Sequence, residues 1–368
     1  MKSAGFLAGA ILVWMAGSAW GAEAPVQEGG GGKRLLEEAR KKADIRFWAQ
    51  INRAVLFADN GTESEWFHVD NDSSPSRFGM SGDYKPNGWE DWILGGQFEL
   101  GFKSDNSGEV VFGGPDPEFD VDGRKIEAYA RSKKFGSLAV GQGDMASNGT
   151  AEEDLSGTYV ISYSQVRFAA ASLVFGPATN GPAIKKVFSN FDGLHRDDRI
   201  RYDTPAWHGL SASASAAGED FYDVALRHGK EIGTHKVSSA AAYAHKGAGI
   251  DQYSGSCSIL LGCGLNFTAA MGGQNVEGET SPLSYYGKVG YKLDLLSCGA
   301  TMLAVDYSRN EEVSQADDLA ESYAVILNQR VEPISSEIYA TVRNYTLERT
   351  DEAYDDLLVF MGGIKITF

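Results

Sequence analysis

From Asp44 to the last residue the sequence repeats with a period of two. Polar Arg46, Trp48, Gln50 and Asn52 alternate with Ile45, Phe47, Ala49 and Ile51. Arg77, Gly79, Ser81 and Asp83 alternate with Phe78, Met80, Gly82 and Tyr84. The same holds for Lys125, Glu127, Tyr129 and Arg131 against Ile126, Ala128 and Ala130, and for Arg199, Arg201 and Asp203 against Ile200 and Tyr202. Side chains on a strand point to opposite faces in turn, so this pattern predicts β-structure with one polar and one apolar face. A sandwich would bury the apolar face in its core. A membrane barrel would turn it to lipid and keep the polar face in a wet lumen. Alternation alone leaves both open.

The connections separate them. Sixteen strands are expected, at 45–57, 76–86, 92–103, 123–132, 136–142, 198–205, 209–217, 220–229, 235–246, 252–262, 264–273, 283–294, 298–308, 320–331, 335–347 and 356–368. Connections 58–75, 104–122, 143–197, 274–282, 309–319 and 348–355 are long. Those at 133–135, 206–208, 332–334 and around Cys263 are tight, and 218–219 is a short exception on the long side. Sorting of loop length by end is the asymmetry of an all-β outer-membrane barrel, with short periplasmic turns and long extracellular loops. The last strand places Leu358, Phe360, Gly362, Ile364, Ile366 and Phe368 on one face. In a soluble protein such a strand would be an unprotected sticky edge, whereas in a closed barrel it pairs with the first.

The N-terminus fits that compartment. Lys2, the apolar run Phe6 to Ala16, and Ala19-Trp20-Gly21 make residues 1–21 an export signal. Residues 22–44 read as a Gly-rich linker followed by a short charged helix from Lys33, marginal alone in water. The barrel would occupy 45–368. The chain carries 33 Lys plus Arg against 50 Asp plus Glu, a net charge of −17, which disfavours a nucleic-acid surface. Cys257 and Cys263 could form a disulfide only if a turn falls between them, and with Cys298 the count is odd. The six His residues make no His-Glu-x-x-His, and neither a Gly-x-Ser-x-Gly elbow nor a metal-ligand spacing occurs. No catalysis, metal or cofactor is expected.

Several segments carry a family resemblance. Ser76-Arg77-Phe78-Gly79-Met80-Ser81-Gly82, Phe135-Gly136-Ser137-Leu138-Ala139-Val140-Gly141-Gln142, and Arg199-Ile200-Arg201-Tyr202-Asp203-Thr204-Pro205 followed by Gly209-Leu210-Ser211-Ala212-Ser213 resemble, in order and spacing, strands of the general Gram-negative porins. Terminal Phe368 is similar to their barrel-assembly signal. The resemblance implies a sixteen-stranded trimeric diffusion channel whose long third loop, here 143–197, folds into the pore and narrows it. The loop begins with acidic Asp144, Glu152, Glu153 and Asp154, and the lumen register opposite offers Arg46, Arg77, Lys125, Arg199 and Arg201. Lys125 and Arg201 fall where the family carries basic wall residues. Opposed walls of this kind set up a transverse field that sorts solutes by charge.

The expected function is passive diffusion of ions and small hydrophilic solutes. The expected partners are outer-membrane lipid, lipopolysaccharide and the barrel assembly machinery, in a homotrimer without nucleic acid. Acid-rich connections 58–75, 309–319 and 348–355 could hold divalent cations shared with lipopolysaccharide phosphates. Two alternatives stay open. One is a substrate-selective channel, although Trp48 and Tyr129 form no continuous aromatic row. The other is a non-channel barrel or adhesin occluded by its N-terminal helix.

Overall fold

A computed structural model describes residues 43–177, 181–276 and 281–368. The expected export signal and the leader helix up to residue 42 lie outside the described residues. Seventeen strands form one antiparallel sheet: β1 (Asp44–Asp59), β2 (Ser64–Asp70), β3 (Arg77–Tyr84), β4 (Trp92–Lys103), β5 (Asp120–Ser132), β6 (Gly136–Asp144), β7 (Arg196–Asp203), β8 (Leu210–Ala217), β9 (Phe221–Ile232), β10 (His235–Lys246), β11 (Ile250–Leu260), β12 (Leu265–Val276), β13 (Leu283–Leu296), β14 (Gly299–Glu311), β15 (Leu319–Val331), β16 (Ser336–Glu348) and β17 (Leu357–Thr367). The sheet closes where Gln50–Asp59 of β1 meets Leu358–Thr367 of β17. Phe368 completes the seam, its amide bonding Ala49 O at 2.9 Å. The barrel therefore has no free edge.

Seventeen strands make sixteen staves, because β2 and β3 are one stave broken in the middle. The upper half of β1 pairs with β2 and the lower half with β3. Between them Ser73-Ser74-Pro75 leaves the ladder. Pro75 has no amide to contribute. The carbonyls set free are taken by side chains of β1: Gln50 Nε2 donates to Ser74 O (3.0 Å) and Pro75 O (2.8 Å), and Asn52 Nδ2 donates to Ser74 O (2.9 Å). Thus the expected first connection, 58–75, is corrected: β1 runs two residues further and the connection contains β2. Connections at one end of the barrel (85–91, 133–135, 204–209, 233–234, 261–264, 297–298 and 332–335) are short. At the other end 104–119 and 145–195 are much longer, 312–318 and 349–356 are about the length of 85–91, and 60–63, 218–220 and 247–249 are tight exceptions. The third connection is 145–195, shorter at both ends than expected.

The wall is amphipathic in the inverted sense. Val305 and Tyr307 on β14 and Tyr323, Val325 and Leu327 on β15 are exposed outward, while Asp306, Ser308, Ser322 and Asn328, of the opposite parity, are buried inside. The lumen is not uniformly polar, however. Leu56 of β1, Ile326 of β15, and Leu357, Val359 and Met361 of β17 point inward and are fully buried with Leu173, Phe175, Ile184 and Phe188 of the third connection. The hydrophobic core thus sits inside the barrel, between loop and wall. Each such side chain contributes roughly 1.5–3 kcal/mol by leaving water. A turn does fall between Cys257 and Cys263, yet all three cysteines are free thiols.

Candidate functional site

The third connection follows the inner wall from β8 to β16 and returns. It leaves β6 at Asp144. Ala146 N donates to Ser215 Oγ (2.7 Å) and Ser147 N to Asp223 Oδ2 (2.7 Å), while Arg227 donates to the carbonyls of Ala146 (2.9 Å) and Asn148 (2.7 Å). On β11 a hydroxyl row at period two receives the next stretch. Thr150 Oγ1 lies 2.8 Å from Ser254 Oγ, Glu153 N donates to Ser256 Oγ (2.9 Å), and Leu155 N donates to Ser258 Oγ (2.8 Å). An extended stretch laid across small hydroxyls meets one acceptor every second residue, so its backbone stays satisfied away from water.

Two buried ion pairs then pin it. Lys288 of β13 donates to Asp154 Oδ2 (2.7 Å), Thr158 Oγ1 (2.9 Å) and Ser162 O (2.6 Å). Arg343 of β16 donates to Asp306 Oδ2 and Ser162 Oγ, each at 2.8 Å. The lysine and arginine side chains are 0% and 2% exposed, so every charge here is neutralised locally. Beyond them Tyr345 OH donates to Val166 O (2.7 Å), and the apolar stretch to Phe188 fills the space against β15–β17 and β1.

The loop leaves the lumen side of β3–β7 uncovered, and the cations gather there. Arg77 donates to Gln50 Oε1 (3.3 Å), a neutral acceptor. Lys125 bonds Asp144 Oδ2 (2.5 Å), Arg199 pairs with Glu127 and donates to Asp144 O (3.1 Å), and Arg201 pairs with Asp203 (2.7 Å) and donates to Met145 O (2.9 Å). Arg46 sits apart from these, at the short-turn end of β1. It is largely exposed and bound to Asp83.

The four acidic loop positions divide. Asp144 joins the basic wall through Lys125. Glu152 accepts from Tyr159 OH (2.9 Å) and Asn190 Nδ2 (3.1 Å) and feels Arg196 and Arg167. Glu153 turns to Ser238 of β10, and Asp154 to Lys288. Those two face the covered wall, because the loop needs its carboxylates there as anchors.

Other residues complete the site. Arg124 pairs with Glu99 at 2.5 Å on the lumen side. Strict alternation from Lys125 would send it outward, but a register shift between Glu99 and Leu100 leaves it unpaired in the ladder and turns it in. Arg196, at the start of β7, neighbours both Arg124 and Arg77, and Tyr159 of the loop lies within electrostatic reach of Arg77. The adjacent Arg124-Lys125 after a glycine was the available sequence signal for the bulge.

In the loop, burial pushes Glu152 above the ordinary carboxylate range. It pushes Asp192 much further, with Glu152 beside it adding to the effect and the Ala151 and Gly149 amides opposing it. Burial, then Arg167, Lys246 and Arg196, lowers His195 to about 4, so it is neutral at physiological pH.

The sequence matches a family model described as Gram-negative porin over residues 45–350. No curated protein matches it. Among solved structures it is similar to an anion-selective porin from Comamonas acidovorans, at 14% identity and a TM-score of 0.61, covering 89% of this chain and all of that one. OmpT of Vibrio cholerae, in its trimer form, aligns at 11% identity and a TM-score of 0.57 over 89% of this chain and all of that one. The outer-membrane channel DcaP of Acinetobacter baumannii aligns at 11% and 0.53, over 89% and 98%. At these identities the structural likeness concerns the fold.

Proposed function

The chain belongs to the Gram-negative porin family and is a passive outer-membrane channel, and from that premise we propose that its pore prefers anions. The observation that carries this reading is the pairing on the uncovered wall. Glu99, Glu127, Asp144 and Asp203 are each bound to a cationic side chain. Arg77, by contrast, binds a neutral side-chain oxygen, and on the adjoining covered wall Arg227 of β9 binds only loop carbonyls. The excess charge bordering the passage is therefore positive. Asp122 of β5 lies near Arg196 and offsets it, and Asp120 and Asp197 stand at the ends of β5 and β7, where salt screens them within about 10 Å at 0.1 M.

The basic wall is Arg77, Arg124, Lys125, Arg196 and Arg201, with Arg199 buried behind it against Glu127, and Asp144 and Glu152 stand at the loop's edge of the constriction. Ions and small hydrophilic solutes move down their gradients, and nothing in the reading calls for a catalytic step. A homotrimer, removal of residues 1–21 on export, recognition of Phe368 by the assembly machinery, and contact with lipopolysaccharide belong to the same reading. The test is the reversal potential of single channels in a potassium chloride gradient. A potential displaced toward the chloride equilibrium value supports it, and one displaced toward potassium overturns it.

A further inference from the structure

The third loop presents an aromatic face that its anchoring does not use. The rings of Tyr159 and Tyr163 are parallel, 3° apart in plane and 4.2 Å between centroids, and Phe168 meets Tyr163 edge-on at 6.2 Å. Tyr163 is 5% exposed and makes a fixed base, whereas Tyr159 is 39% exposed. Since this loop lies inside a closed barrel, the open face of Tyr159 borders lumen water and not lipid. The stack on Tyr163 sets the plane of the ring, and its hydroxyl donates to Glu152. Asn71 Nδ2 donates to Val160 O (2.9 Å), which brings this part of the loop to the break between β2 and β3, where Arg77 at the start of β3 is close enough to sense the Tyr159 phenol.

We propose that Tyr159 and Arg77 frame a subsite for small planar anions, aromatic carboxylates being the class. The proposal rests on the channel reading above and deepens it. An aromatic ring offers a flat apolar surface to stack on Tyr159. Its carboxylate matches the forked donors of Arg77, whose hydrogen bond among the described residues is to the neutral Gln50 oxygen and whose neighbouring carboxylate, Glu99, is already bound by Arg124. An aliphatic carboxylate gains the second contact without the first. A planar cation gains the first and is repelled by the arginines. Glu152 is engaged from the sides by Tyr159 and Asn190, and burial shifts it toward its protonated form.

The experiment uses the mature full-length protein in planar bilayers carrying chloride current. Benzoate, cyclohexanecarboxylate and acetate are added in turn, and the blocking constant of each is read in the same open channels. Benzoate is expected to block about 2- to 10-fold more tightly than cyclohexanecarboxylate, the range that ring stacking supplies. Tyr159→Phe should keep that ratio and Tyr159→Leu should bring it to one, while Arg77→Gln should weaken block by all three carboxylates. Equal block by benzoate and cyclohexanecarboxylate in the wild type, or a ratio that survives Tyr159→Leu, overturns the subsite and leaves the channel reading standing. A folded, inserted barrel that carries no chloride current overturns both.

Discussion

The two halves of the barrel lumen use the same charged residue types to opposite ends. On β8–β16, Lys288, Arg343, Asp154 and Asp306 are almost wholly buried and paired within 2.8 Å. On β3–β7, Arg77, Arg124, Lys125 and Arg201 keep contact with water, and Arg77 has a neutral partner. The covered half spends its charges on holding a loop, and that loop then defines the space in which the open half can act. A lumen charge is thus structural or functional according to what lies over it, not according to its type or its register.

Breaking the covered half should have the largest effect. Asp306→Ala strands the buried Arg343 guanidinium, and loss of one partner of a buried pair costs about 3–5 kcal/mol. A lower thermal unfolding midpoint in detergent, together with larger and noisier single-channel currents, is the expected outcome. An unchanged midpoint would mean that the loop is held by its other anchors, the Lys288–Asp154 pair and the apolar stretch among them. Leu173→Ala tests that stretch. A cavity at this fully buried position should cost about 2–5 kcal/mol, read from the same melting curve.

The open half should respond in selectivity before stability. Arg77→Gln removes one charge from the passage, worth on the order of 1 kcal/mol after screening, or roughly a fivefold fall in the chloride-to-potassium permeability ratio. A ratio that holds would assign selectivity to Arg196 and Arg227 instead.

The effect of pH is smaller and its sign is set. Glu152 and Asp192 have raised folded-state pKa values, facing Tyr159, Asn190, the amides of Gly149 and Ala151, and the cations Arg167, Arg196 and Arg227. Their protonated forms favour the folded loop below the unfolded carboxylate range, and that advantage is lost as pH rises through the raised values. The charge gained on the way should lower anion preference, and Glu152→Gln with Asp192→Asn should flatten the profile. Smallest of all is Arg46→Ala. Its exposed pair with Asp83 at the turn end should change stability by less than about 1 kcal/mol.

Much of this was legible in residue order. The staves came from alternation, and the seam from the apolar face ending in Phe368. The third connection stood out by length. Lys125, Arg199 and Arg201 appear on the lumen side because a strand repeats every two residues whatever surrounds it. The break at Ser73-Ser74-Pro75 was less visible, because Pro75 signals an interruption without saying that Gln50 and Asn52 will satisfy its neighbours. Among the acids, Glu153 and Asp154 follow one another in sequence beside Glu152 but bind β10 and β13.

Local pattern thus determined the barrel, its inside and outside, and the position of its longest loop, because strand periodicity and edge closure are short-range rules. Only the tertiary structure decided which lumen charges the loop covers. That depends on partners such as Lys288 for Asp154 and Arg343 for Ser162, more than a hundred residues away along the chain. It also depends on one bulge that turns Arg124 inward. No local period encodes either, since both arise from where a closed wall brings distant side chains together.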